Sequence, residues 1–243
     1  MDEACAAFRA AIECDPAYAE AWCNLGQALQ ARGEFSAAVE ARRKGHELGS
    51  KRPDWRFPSA QWVAQAERLL ALEGRLSAIL KKQDEPRDAR ERIEFAQVCA
   101  VKKHYAAAAS FYTAGLPAVE QFPFLRYNAA CCAALAGCGK GIDSADLDDV
   151  ARAGLRKQSV EWLRADLDAW TKRLEGGKDE DRQLVAQTLS HWKGDPDLAE
   201  IRNAEQLEKL PTVEQVALRQ FWAEVDALLE QTATAAEPID ASE

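Results

Sequence analysis

The sequence has 243 residues, of which 47% are hydrophobic and 29% charged, values that suit a folded globular chain and are too apolar for general disorder. Its 31 lysines and arginines against 40 aspartates and glutamates give a formal charge of −9. The cationic surplus with which proteins neutralise nucleic-acid phosphates is therefore missing, and DNA and RNA are excluded as first partners.

The imbalance lies in the second part of the chain: the first 100 residues hold 15 basic and 16 acidic side chains, the rest 16 and 24. No apolar run approaches the roughly 18 residues that a membrane helix needs, so no membrane partner is expected. Met1-Asp2-Glu3-Ala4-Cys5 opens acidic and lacks the basic stretch and apolar run of an export signal. Seven cysteines, at 5, 14, 23, 99, 131, 132 and 138, are an odd number with no CxxC spacing, so free thiols in a reducing cytoplasm are expected rather than a disulfide framework.

Alanine is abundant, and the apolar residues recur at three and four rather than at two, which predicts helices throughout and no strand. The chain opens on a helix carrying Ala4, Phe8 and Ala11, closed by Pro16. Two more helices are predicted on either side of Gly33, the first with Trp22, Leu25, Gly26 and Leu29, the second with Phe35 and Ala38. Gly49 to Pro58 reads as a loop. Ser59 to Lys82 then forms a long amphipathic helix with Trp62, Ala66, Leu69, Leu76 and Ile79 inward. Asp84-Glu85-Pro86 restarts the chain, with Pro86 suited to a first helical turn. Helices around Phe95 to Cys99, Tyr105 to Tyr112 and Ala129 to Ala136 follow, and Gly137 to Asp143 breaks the last of them. A long helix begins near Asp146 or Asp149 and runs to Leu174, with Trp162, Leu163, Leu167 and Trp170 on one side and Gly176-Gly177 at its end. Asp181 to Trp192, a short helix from Asp195-Pro196 and a last helix from Pro211 complete the chain. The small and acidic residues from Thr232 to Glu243 are expected to be a disordered tail.

Internal repetition organises these helices. Trp22-x2-Leu25-Gly26-x2-Leu29 with Gly33 and Ala38 resembles the tetratricopeptide repeat (TPR), and Ala4 precedes Ala38 by the 34 residues of one TPR period. Phe95 and Cys99 precede Ala129 and Ala133 by the same interval, giving two degenerate repeats. The small residues Gly26, Ala38, Ala96, Ala108 and Ala130 would let paired helices approach closely. Trp22, Leu25, Phe95 and Tyr112 would fill the space between pairs. The resemblance implies an all-α, TPR-like α-solenoid of antiparallel helix pairs with a C-terminal helical cap. Its expected parts are an N-terminal TPR segment (residues 1–58), a connecting helix (59–85), degenerate helix pairs (86–177), the cap (178–231) and the tail (232–243). Because the opening helix is the second half of a repeat, a preceding segment or a capping partner is expected.

Lys44 to Leu80, Arg126 to Leu135 (RYNAACCAAL), Trp162 to Trp170 (WLRADLDAW) and Thr188 to Arg202 resemble the TPR regions C-terminal to bacterial serine/threonine protein kinases. That resemblance implies a regulatory or scaffolding module with a protein kinase domain as a candidate partner. No glycine-rich nucleotide loop, V-A-I-K, H-R-D-L-x-x-x-N or D-F-G is present, so the chain is read as no enzyme.

TPR arrays hold peptides in a concave groove lined by first helices, and the resemblance assigns Glu20, Cys23, Asn24, Gln27, Arg90, Glu94, Gln97, Tyr127 and Asn128 to it. An Asn amide both donates to and accepts from a peptide backbone, which makes Asn24 and Asn128 the leading candidates beside the simpler reading of bonds between helices. A clamp for a carboxylate tail would need cations, and Arg90 alone is basic. Arg42, Arg43, Lys44, Lys51, Arg52 and Arg56 form a basic cluster for an acidic or phosphorylated segment, or a solvated helix end whose cations complement the helix dipole.

No metal or cofactor is expected: Cys131 and Cys132 point about 100° apart on a helix and have no His nearby. Gly137-Cys138-Gly139-Lys140-Gly141 lacks the hydroxyl residue and the preceding strand of a phosphate loop. Trp162, Trp170, Trp192 and Trp222 are read as core. The other readings kept open are a packing segment of a larger kinase–TPR polypeptide and, remotely, an enzyme with an unrecognised site.

Overall fold

The computed structural model describes residues 2–119 and 123–234, and these are all-α, with no strand among them. Two compact units divide the chain, Met1–Lys102 and Lys103–Glu243.

The first unit contains α1 (Asp2–Cys14), α2 (Ala19–Ala31), α3 (Phe35–Gly49), α4 (Ser59–Leu80) and α5 (Ala89–Val101). The turn between α2 and α3 is only three residues long because Gly33 adopts φ +76°, and the Glu34 N–H returns to the Leu29 carbonyl, which closes the helix end in the manner favoured by glycine. A Cβ on Gly26 would meet Arg42 Cγ at 2.7 Å and the Ala38 carbonyl at 3.0 Å, and one on Gly45 would meet Cys23 Sγ at 2.5 Å. These contacts set the antiparallel register. Gly26 and Ala38 act as the predicted small residues, and Gly45 is a third that the repeat pattern did not single out. Cys5, Leu25, Ala28, Leu29, Ala38 and Ala41 form the core there, with Phe8, Ile12 and Trp22 packed against it.

The loop from Ser50 to Pro58 is fastened by Trp55. Its ring lies against Gly49, and its indole N–H donates to Ser59 Oγ at 2.9 Å. α4 begins at Ser59 as expected and ends at Leu80, after which Lys82 turns the chain at φ 57°. α5 begins at Ala89, three residues later than Pro86 suggests, because the Asp88 carboxylate caps it by accepting from Glu91 N–H at 2.8 Å.

The second unit contains α6 (Tyr105–Gly115), a 3-10 turn (Leu116–Ala118), α7 (Pro123–Gly137), α8 (Asp149–Glu175), α9 (Asp179–Gly194), a 3-10 segment (Pro196–Ile201), the short α10 (Ala204–Leu207) and α11 (Thr212–Thr234). α7 and α8 pack antiparallel: Arg126 bonds Asp166, Ser159 Oγ donates to the Ala130 carbonyl at 2.8 Å, and a Cβ on Gly137 would strike Arg156 Cγ at 2.7 Å. Leu163, Leu167, Val185, Leu189, Trp192, Ile201, Phe221, Trp222 and Val225 share one core, against which Trp162 and Trp170 pack, so the tryptophans are core as expected. The GCGKG stretch closes α7. The amides of Cys138, Gly139 and Lys140 donate back to Ala134, Ala136 and Leu135, leaving no cradle for a phosphate. The helix α11 includes residues 232–234 of the expected tail, and residues 235–243 lie outside the described residues.

Candidate functional site

Glu20, Asn24 and Gln27 recur at four and three along α2, so they fall on one helical face. Asn24 and Gln27 are exposed and make no hydrogen bond among the described residues, so their amides are open to a ligand. Bonding between helices, the simpler reading of Asn24, is not what the side chain does here. Glu20 is committed, with Arg52 donating to its two oxygens at 2.8 and 3.0 Å. Cys23 faces inward against Gly45, and burial pushes its thiol above the ordinary range.

Arg90, Glu94 and Gln97 repeat the same spacing on α5. Arg90 is largely exposed and lies 3.7 Å from Glu94, whereas Glu94 accepts from Arg68 Nε and Nη2 at 2.9 and 2.7 Å. α4 packs against both α3 and α5, so the helix bordering α5 on this side is α4. Its Arg68 and Arg75 converge on the buried Glu91, at 2.9 and 2.8 Å, while the Arg87 N–H donates to the other oxygen of that carboxylate at 2.7 Å. Burial alone would raise Glu91, but the backbone donor and the two guanidiniums outweigh it and hold the carboxyl below its ordinary value. This network was missed in the repeat pattern. Its sequence signal is a pair of arginines seven apart on one helix and a pair of glutamates three apart on the next.

In the second unit Asn128 is exposed, while Tyr127 is half-buried. The Tyr127 hydroxyl donates to Asp195 Oδ2 at 2.5 Å and its ring stacks on Trp192 at 5.7 Å. Desolvation raises its hydroxyl far above the usual phenol range. Tyr127 thus spends its polar atom inside the unit.

The expected basic cluster is largely neutralised and includes one member that is not on the surface. Arg42 is 7% exposed and lies against the Trp62 ring, 5.1 Å from its centroid, with desolvation lowering its guanidinium. It fills the space above Gly26 instead of facing a ligand. Arg43 pairs with Glu67, Lys44 and Lys51 both pair with Glu47, and Arg52 pairs with Glu20 and Asp54. Arg56 donates to the Pro53 carbonyl at 3.1 Å. The two lysines hold the Glu47 carboxyl below its ordinary value. Because each exposed cation except Arg56 already has a carboxylate, the cluster presents little uncompensated positive charge to an acidic segment.

Among the described residues no group of three His, Cys, Asp or Glu side chains could hold a metal ion, and no helix is long and apolar enough to cross a membrane. Comparison with curated proteins finds no match. Residues 7–40 match the family model described as Tetratricopeptide repeat; they run from α1 through α2 into α3, and the likeness covers this segment.

Proposed function

We propose that the chain is a non-catalytic interaction module whose α2 face, through Asn24 and Gln27, binds an extended segment of a protein partner. The observation that carries this reading is the pair of exposed, unbonded amides on one face of a helix within the segment that matches the tetratricopeptide repeat. A carboxamide offers both donor and acceptor to a peptide backbone, so such a face recognises main chain with tolerance for the side chains of the ligand. Asn128 on α7 offers a second amide of the same kind. The pairing of Glu20 with Arg52 and of Glu94 with Arg68 argues against a ligand that binds through its terminal carboxylate.

The resemblance to regions that follow bacterial serine/threonine kinases makes a kinase domain the first partner to examine, with this chain as a regulatory or scaffolding part in the cytoplasm. A second reading, a packing segment of a larger polypeptide, draws support from how many candidate side chains are already paired within their own unit.

The test is affinity capture from a lysate of the source cells with the intact chain, an Asn24→Ala/Gln27→Ala variant and an Asn128→Ala variant, followed by calorimetric titration of the captured partner. Loss of a defined partner by the still-folded α2 variant supports the α2 face. Equal retention by all three chains refutes it and favours the packing reading.

A further inference from the structure

The exposed face of α8 runs through Gly154, Lys157, Glu161 and Ala165. Beside it α11 presents Val213 and Ala217, and between the two helices lies a groove of about 540 Å³ whose walls include Ala153, Val160 and Leu218. Of its lining residues Val213 is 83% exposed, so the groove has an uncovered apolar wall.

A glycine inside a helix is destabilising relative to alanine, and at Gly26, Gly45 and Gly137 a neighbour within 3 Å demands it. At Gly154, as at Gly74 of α4, a Cβ would meet nothing within 4 Å, so the bare backbone there is open to close approach by another helix. Two of the charges lining the groove are matched across it, Arg156 with Glu214 and Arg164 with Glu224 of α11. Lys157 and Glu161 remain on the open side with side chains 79% and 54% exposed, 3.7 Å apart.

This arrangement is self-complementary. An antiparallel two-fold between two copies of α8, centred between positions 157 and 161, sets each Lys157 opposite the second copy's Glu161. The same register sets Gly154 opposite the second copy's Arg164, whose aliphatic stem fills the space above the glycine. A symmetric contact of this kind is closed and uses one patch twice. We propose that the α8–α11 groove is a homodimer interface, occupied by α8 of a second copy of this chain.

Sedimentation velocity of the full chain over a wide concentration range tests it, with far-UV circular dichroism as the control for folding. A monomer–dimer equilibrium is expected, and Gly154→Leu should abolish the dimer with the helical spectrum unchanged. Lys157→Glu and Glu161→Lys should each weaken the dimer about ten-fold by setting like charges opposite. An equimolar mixture of these two variants should recover association, since each then faces the opposite sign. A chain that is monomeric at every concentration, a dimer indifferent to Gly154→Leu, or a mixture no tighter than the separate charge variants would overturn the proposal. If Gly154→Leu disturbs the fold, the charge-swapped mixture decides alone.

Discussion

Replacing Glu91 is the sharpest probe of how the first unit is held together. Its carboxylate has a side-chain exposure of 2% and accepts from Arg75 Nη1, Arg68 Nη2 and the Arg87 N–H. A hydrogen bond to a charged group is worth about 1.5–3 kcal/mol, and removing one partner of a buried ion pair costs about 3–5 kcal/mol. Arg75 keeps Asp84 at 2.7 Å and Arg68 keeps Glu94 at 2.7 Å, so neither guanidinium is stranded, and the cost falls to the lower end of that range. Glu91→Ala should therefore lose about 3 kcal/mol, read as a lower urea midpoint with unchanged slope in a circular-dichroism titration. The double change Glu91→Ala with Arg75→Met should lose less than the sum of the two single changes, because they share one interaction. The carboxyl is held below its unfolded value, so its contribution is present above that value and is lost as pH falls through the folded one. A loss under about 1 kcal/mol, or additive single changes, would refute the view that this network joins α4 to α5.

Three other consequences are as direct. Gly45→Ala places a Cβ 2.5 Å from Cys23 Sγ and 2.8 Å from the Cys23 backbone nitrogen, and the forced separation of α2 and α3 should cost about 1–3 kcal/mol by thermal unfolding. Asp166 is 4% exposed, and burial outweighs its bond to Arg126 and pushes its carboxyl up to about 6. Carboxyl NMR should show a midpoint near that value. Because the folded chain then binds its proton more tightly than the unfolded chain, the contribution of Asp166 to stability should fall as pH rises between the two values, and Asp166→Asn should remove that slope. Lys82→Gly relieves a left-handed lysine at φ 57° after α4 and should raise stability by about 0.5–1 kcal/mol, measured by the same urea titration.

Much of the architecture was legible from short-range pattern. The three- and four-residue recurrence of apolar side chains, Gly33 after Leu29, and the 34-residue interval between Ala4 and Ala38 specify helices and their pairing, because helical periodicity and turn glycines are local properties. Ser59 as the start of α4 and the ending of α7 at Gly137 follow from the same logic, as does the burial of Trp192 and Trp222. The start of α5 escaped because Asp88, a side-chain cap, overrides the preference of Pro86 for a first turn.

What only the tertiary structure decided is which charges and amides are spent. In sequence Arg42 and Arg43 look alike, yet one is buried over Gly26 against Trp62 and the other meets Glu67 at the surface, because adjacent residues on a helix point about 100° apart. Glu20 and Asn24 share a face, yet the loop that Trp55 fastens brings Arg52 to the first and nothing to the second. Tyr127 and Asn128 are neighbours, and only Tyr127 is drawn inward to Asp195. The sequence determined the helices because those depend on residues three to seven apart. Partners come from segments 32 positions away in one case and 68 in the other, and only packing brings such segments within hydrogen-bonding distance.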